Sequence, residues 1–320
     1  MTPTPSSRLP LWLAIVFAVL CGALAAVQSQ INGELGRRLG DGFAAALISF
    51  GSGLVILMIG LAVAPAGRRG LARVRTALRD GGLRWWYVGG GAAGAFFVLS
   101  QSLTAAVLGV ALFTVATVAG QTISGLVFDR IGLGPGGPRP LSAPRVVGAV
   151  LALFAVIWAV SGQLGGDVPV WMLVLPLLAG LGIGWQQAVN GQVRVVAQSA
   201  LAATFVNFVL GTAVLLVLML VHTAFAGWPK PLPPEPWLYL GGAIGCVFIG
   251  GVALLVRVTG VLVLGLATIA GQLLSALLLD LFAPSAAHPV AFSTVAGTLL
   301  ALVAVAVASI RWRRLPTRVR

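Results

Sequence analysis

The sequence predicts an all-α integral membrane protein of ten transmembrane helices, arranged as two inverted five-helix repeats. Composition and internal repetition predict it. Hydrophobic residues make up 59% of the chain, charged residues only 8%, and mean hydropathy is +1.04, against roughly 25% charged residues in soluble proteins. Gln28, Asn32, Gly33, Phe50 and Gly53 recur at one constant offset as Gln186, Asn190, Gly191, Phe208 and Gly211.

A spanning helix needs about 20 mostly apolar residues, and ten segments qualify. They lie near 11–32, 43–64, 85–104, 106–128 and 145–162, then 169–191, 202–225, 237–256, 260–281 and 290–310. The first resembles a cleavable signal peptide, with Arg8, an apolar run and small residues near Ala26. Its counterpart "WMLVLPLLAGLGIGW" lies in mid-chain, so the first segment is kept as a helix. The chain divides into a cytoplasmic segment 1–10, a first repeat 11–165, an inverted second repeat 166–310 and a basic cytoplasmic tail 311–320.

The later part of each repeat aligns at a second offset. "TVAGQTISGLVFD" matches "TIAGQLLSALLLD", setting Thr117, Gln121, Ser124 and Asp129 opposite Thr268, Gln272, Ser275 and Asp280, while Trp86, Gly94 and Gly109 align with Trp237, Gly245 and Gly260. The two offsets differ because the first half carries a longer arginine-rich loop after its second helix. An odd helix number per repeat inserts the halves upside down, related by a pseudo-two-fold axis in the membrane plane.

Charge tests the orientation. With the N-terminus inside, one face holds Arg8, Arg68, Arg69, Arg73, Arg75, Arg79, Arg84, Arg130, Arg139, Arg145, Arg194, Arg257 and the arginines of the tail; the other keeps Arg37, Arg38 and Lys230. Positive residues mark the cytoplasmic side, so both termini are expected there. The net charge of +13 therefore reports membrane orientation rather than nucleic-acid binding, and nucleic acid is not an expected partner.

The elements Gln28-x-x-x-Asn32-Gly33 with Phe50-x-x-Gly53, and Ala119-Gly120-Gln121-x-x-Ser124 with Asp129, each repeated in the other half, resemble the YdcZ-type family of the drug/metabolite transporter superfamily. The resemblance spans about residues 11–310 and implies a ten-helix bacterial inner-membrane protein with an export or exchange function. It implies no particular substrate. The second half departs from the first where Gln192 and Val195 replace Glu34 and Arg37.

Polar side chains are costly in lipid and face the bundle interior, a partner or a water-filled cavity. Gln28 and Asn32 sit one turn apart on one helical face, and Gln186 and Asn190 repeat that geometry. With Gln121, Gln272 and the neighbouring Trp185 they form the expected substrate-binding set, in which amides both donate and accept toward a neutral or zwitterionic solute. The alternatives are interhelical hydrogen bonding for the amides, helix termination at Asn-Gly, and simple packing for Trp185. Asp129 and Asp280 are read as interfacial carboxylates that tether a loop or pair with arginine, Arg130 and Arg145 being candidates for Asp129, with a gating role as the alternative. No carboxylate falls near the centre of an expected span, which weakens a proton relay through Asp or Glu and a cationic substrate. The glycines of "VGGGAAGAF" and "LGGAIGCVFIGG" are read as close helix contacts, with a hinge on the substrate path as the alternative.

No nucleotide loop, nucleophile elbow, metal-ligand cluster or other catalytic motif is present, so neither an enzyme, a cofactor nor a metal is expected. Cys21 and Cys246 read as buried hydrophobes, and His222 and His288 receive no role. The expected activity is movement of a small organic solute by alternating access. Expected partners are that small-molecule substrate and membrane lipid, with a homodimer left open. Rival readings are a membrane scaffold or accessory subunit and a lipid-handling protein.

Overall fold

Long apolar runs, broken by glycine, proline or a short capping residue, set every helix boundary that follows. A computed structural model describes residues 10–135, 137, 138, 141–161, 169–282 and 291–308. The expected N-terminal segment up to residue 9, the basic tail 311–320, Asp167 and His288 lie outside the described residues. The helices are α1 (Leu11–Leu39), α2 (Gly42–Val63), α3 (Pro65–Arg79), α4 (Gly90–Leu108), α5 (Val110–Ile131), α6 (Ala143–Ser161), α7 (Val170–Ala197), α8 (Ala200–Ala226), α9 (Gly241–Phe282) and α10 (Phe292–Ala308). Short 3-10 turns at Trp85–Gly89 and Pro236–Tyr239 lead into α4 and α9.

Seven helical segments among the described residues are long and apolar enough to cross a membrane; Ala143–Ala159, Gly241–Val252 and Phe292–Val307 are shorter apolar stretches. The first apolar segment is integrated along its length: α1 buries Ala14, Ala18, Ala25 and Leu35.

Two expectations about boundaries change. Helices α1 and α7 run straight through Asn32-Gly33 and Asn190-Gly191 to Leu39 and Ala197, so Asn-Gly does not end them. Gly33 instead admits the backbone of Ala106, whose nitrogen would lie 2.8 Å from a Cβ there. Helix α1 ends seven residues later at Gly40, whose φ of +62° carries the chain out of the helix. Asp41 then caps α2 by accepting from Phe43 N and Ala44 N at 2.8 and 3.0 Å. The corresponding residues Gln198 (φ +50°) and Ser199 end α7 and cap α8.

The second change concerns α9, where the two expected segments 237–256 and 260–281 form one helical run. Its two ends lie along α1 in opposite senses. Gly241, Gly245 and Gly251 meet Asn32, Gln28 and Cys21, descending α1, whereas Thr268 meets Gly22 and Ala276 packs on Ala26, ascending it again. The run therefore cannot be straight. On the other side of the molecule α4 and α5 flank α7 in the same two senses: Gly90 and Gly94 meet Asn190 and Gln186, then Thr117 and Ser124 meet Gly180 and Gly184. There the reversal occurs at Gly109, with φ +83°.

The arginine-rich connection after α2 is itself helical. Its apolar side, Leu71, Val74 and Leu78, packs with Val193, Ala197, Ala202 and Ala203. Arg73 donates from Nε and Nη2 to the carbonyl of Ala197 at 3.0 and 2.7 Å, satisfying an orphan acceptor at the end of α7.

Candidate functional site

The middle of the molecule is a layer of two phenyl rings and two primary amides. Helices α2 and α8 bring Phe50 and Phe208 together with ring centroids 4.8 Å apart. Each ring fills space that a side chain on the opposite helix would need: a Cβ on Gly211 would lie 2.3 Å from Phe50 Cε1, and one on Gly53 would lie 2.3 Å from Phe208 Cε1. Beyond the rings sit the amides. Gln186 Nε2 lies over Gly94, which also touches Phe50, and Gln28 Nε2 lies over Gly245, which also touches Phe208.

The amides are buried and engaged. Gln28 is 8% exposed and donates from Nε2 to the carbonyl of Gly241 at 2.8 Å. Gln186 is 9% exposed and donates to Asn207 Oδ1 at 3.1 Å. Asn32 is fully buried; its Nδ2 donates to Gln101 Oε1 at 2.8 Å, and Gln101 Nε2 donates to Ser29 Oγ at 2.8 Å. Asn32 Oδ1 lies against Gly241 and Asn190 Oδ1 against Gly90, the first residues of α9 and α4, where helix N-termini favour an acceptor. Two buried amide atoms in this layer, Asn32 Oδ1 and Asn207 Nδ2, have no hydrogen-bond partner among the described residues.

The remaining expected residues lie to either side. Trp185, half-buried, rests its ring edge on Gly89. Gln272 is buried and Gln121 half-buried; their backbones pack against Gly22 and Gly180. Gly22 and Gln28 are roughly 9 Å apart along α1, so these two glutamines stand away from the phenyl-amide layer. Gln101, Ser29 and Asn207 belong to the layer although the repeat did not single them out: the residues aligned with Gln101 and Asn207 are Val252 and Ser49. Their signal was cost, since a fully buried amide in an apolar helix needs a partner.

The carboxylates are occupied elsewhere. Glu34 pairs with Arg37 and Arg38 at 2.6 and 2.7 Å, and Arg38 also binds Glu235. That bond holds the Glu235 carboxyl below the usual carboxylate range. Asp129 pairs with Arg145 at 3.1 Å. Asp280 is 6% exposed and accepts from Val110 N and Ala111 N at 2.8 and 2.7 Å, so it caps α5 instead of pairing with arginine.

The same family model, described as "Putative inner membrane exporter, YdcZ", matches residues 13–158 and again residues 171–307. No curated protein matches the chain. A crystal structure of a protein not otherwise described superposes with a TM-score of 0.53 at 22% identity, covering 92% of this chain and 95% of that one; this likeness concerns the fold alone. With both halves matched by one model, the chain belongs to the YdcZ family.

Proposed function

We propose that this protein is a ten-span inverted-repeat transporter that moves a small organic solute by alternating access, with both termini cytoplasmic and with export or exchange as its direction. The observation that carries the reading is the phenyl-amide layer, to which both halves contribute an equivalent ring and amide, Phe50 with Gln28 and Phe208 with Gln186, and which retains two buried, unpartnered amide atoms, Asn32 Oδ1 and Asn207 Nδ2. Ten spans follow if the three shorter apolar stretches cross as well, with α9 supplying two.

The paired contacts support the inversion. Gly22 meets the carbonyl of Thr268 as Gly180 meets that of Thr117, and Gly271 meets the carbonyl of Val19 as Gly120 meets that of Leu177. Each helix that carries a Gln-Asn pair is thus clasped by the broken helix pair of the other half. Rocking one clasp against the other would expose the layer to either side in turn.

The layer offers amide donors and acceptors beside aromatic faces, and the carboxylates described above are bound elsewhere. It suits a neutral or zwitterionic solute with an apolar part. The chemistry asked of the protein is binding and movement, not catalysis.

Thermal stability of the purified protein against a panel of soluble metabolites and drug-like compounds tests this, with Gln28→Ala and Gln186→Ala run beside it. A solute at ~100 times its dissociation constant should add about 2.7 kcal/mol to the native state, and both variants should lose that gain while staying folded. Loss of folded protein in both variants, with no stabilising solute for the parent, would reduce the amides to interhelical hydrogen bonds.

A further inference from the structure

The α3 helix has no part in the phenyl-amide layer, yet it is firmly placed. Gly67 sits on Leu201 and Leu61, Gly70 sits on the carbonyl of Ala197, and Val74 is buried. Arg68 is spent on the carbonyls of Leu61 and Ala62 at the end of α2, and Arg73 on that of Ala197. An open trough of about 410 Å³ lies between α3 and α8, walled by Leu71, Val74, Leu78, Val88, Val206 and Leu210, with Arg75 and Arg79 also lining it. Its volume falls in the range of small-ligand sites, roughly 300–1,000 Å³.

Arg75 and Arg79 are one helical turn apart and so share a face. Among the described residues neither has a carboxylate partner, although Arg37, Arg38 and Arg145 elsewhere do. Two unpaired guanidinium groups beside an apolar trough match one chemistry, a phosphate joined to hydrocarbon. The trough is walled by α3, which follows the end of α2, and by the first turns of α8, so it lies beside the ends of two long apolar helices.

We infer that this trough is a binding site for an anionic phospholipid, its phosphate held by Arg75 and Arg79 and an acyl chain lying along Val74, Leu78, Val206 and Leu210. The guanidinium pair supplies the preference for anionic headgroups, as basic residues at a membrane surface do, and the apolar wall supplies the hold on the chain. Because α3 is tied to the ends of α2 and α7, the lipid brings those ends and α8 under one clamp. The site is separate from the proposed solute path and does not depend on it.

Native mass spectrometry of the full-length protein, which reads lipid on folded molecules, tests the site with phosphatidylglycerol and phosphatidylcholine of identical acyl chains. The parent should retain phosphatidylglycerol with roughly ten- to thirty-fold preference, the scale set by two basic residues near the surface. The preference should fall to near parity in the Arg75→Gln/Arg79→Gln variant and persist in Arg69→Gln, which removes a charge from the same helix away from the trough. Equal retention of both lipids by the parent, an equal loss in Arg69→Gln, or displacement of the lipid by inorganic phosphate alone would each overturn the assignment.

Discussion

Asp280 and Asp129 close the same sequence element in the two halves, and their surroundings differ sharply. Asp280 is buried and accepts from two backbone N–H groups at the start of α5, 170 residues away in sequence. Asp129 has a side chain 41% exposed and meets Arg145, sixteen residues further along. A matching contrast separates Glu34, held by two arginines, from its counterpart Gln192, which donates to the carbonyl of Leu133 at 3.0 Å. Glu34 and Asp280 lie toward one end of the molecule and Asp129 and Gln192 toward the other, so each end is fastened once by an ion pair and once by hydrogen bonds alone. A repeated sequence supplies equivalent groups, but the partner available at each end decides what each group does.

The carboxylate contrast can be broken most directly by Asp280→Ala. It removes two hydrogen bonds to a charged acceptor, each contributing about 1.5–3 kcal/mol, and leaves two buried donors without a partner. A loss of about 3–5 kcal/mol is expected from thermal or denaturant unfolding in detergent, whereas Asp129→Ala should cost no more than about 1 kcal/mol because its ion pair is partly solvated. Equal losses would mean that burial does not distinguish the two.

The glycines opposite the phenyl rings sharpen the symmetric part of the comparison. Gly211→Ala and Gly53→Ala each force a ring out of place and should destabilise by about 1–3 kcal/mol, to a similar extent in the two halves. Adding Phe50→Ala should recover part of the Gly211→Ala loss, since the ring in question is that of Phe50, and a double-mutant cycle measures the coupling. Strict additivity would show that ring and glycine do not compete for one space.

The smallest expected effect lies in the ion-pair cluster of Glu34, Arg38 and Glu235. The carboxyl of Glu235 sits below its ordinary range because Arg38 binds it. Such a group contributes stability above its unfolded pKa and loses it as pH falls through the lowered folded value. The parent and Arg38→Gln should therefore differ slightly in melting temperature near neutrality and converge in acid. A difference that grows as pH falls would reverse the sign and exclude this linkage.

Much of this was legible in the sequence because it rests on periodicity and repetition. The apolar runs gave α2, α5 and α8 nearly to their ends, the glycine-rich stretches gave the close contacts of α4 and α9, and the repeat led to Gln28, Asn32, Gln186 and Asn190. Helix α3 was hidden because five arginines obscure the spacing of Leu71, Val74 and Leu78. Gln101 and Asn207 carry no mark like that of Gln28, because neither is repeated in the other half. The capping of α5 by Asp280 joins residues far apart in the chain, and a sequence carries no local mark of such a meeting.

The exchange of rings and glycines between α2 and α8 has one last consequence. Each half carries a plug and a socket, and neither can fill its own socket. A fragment ending after α6 and another beginning at α7 would each expose a ring and a notch that only the other completes. The fit itself is made by Phe50, Gly53, Phe208 and Gly211 on α2 and α8. Mutual recognition is therefore written into the surfaces of the halves, and two separate polypeptides bearing them would have the shapes needed to find each other.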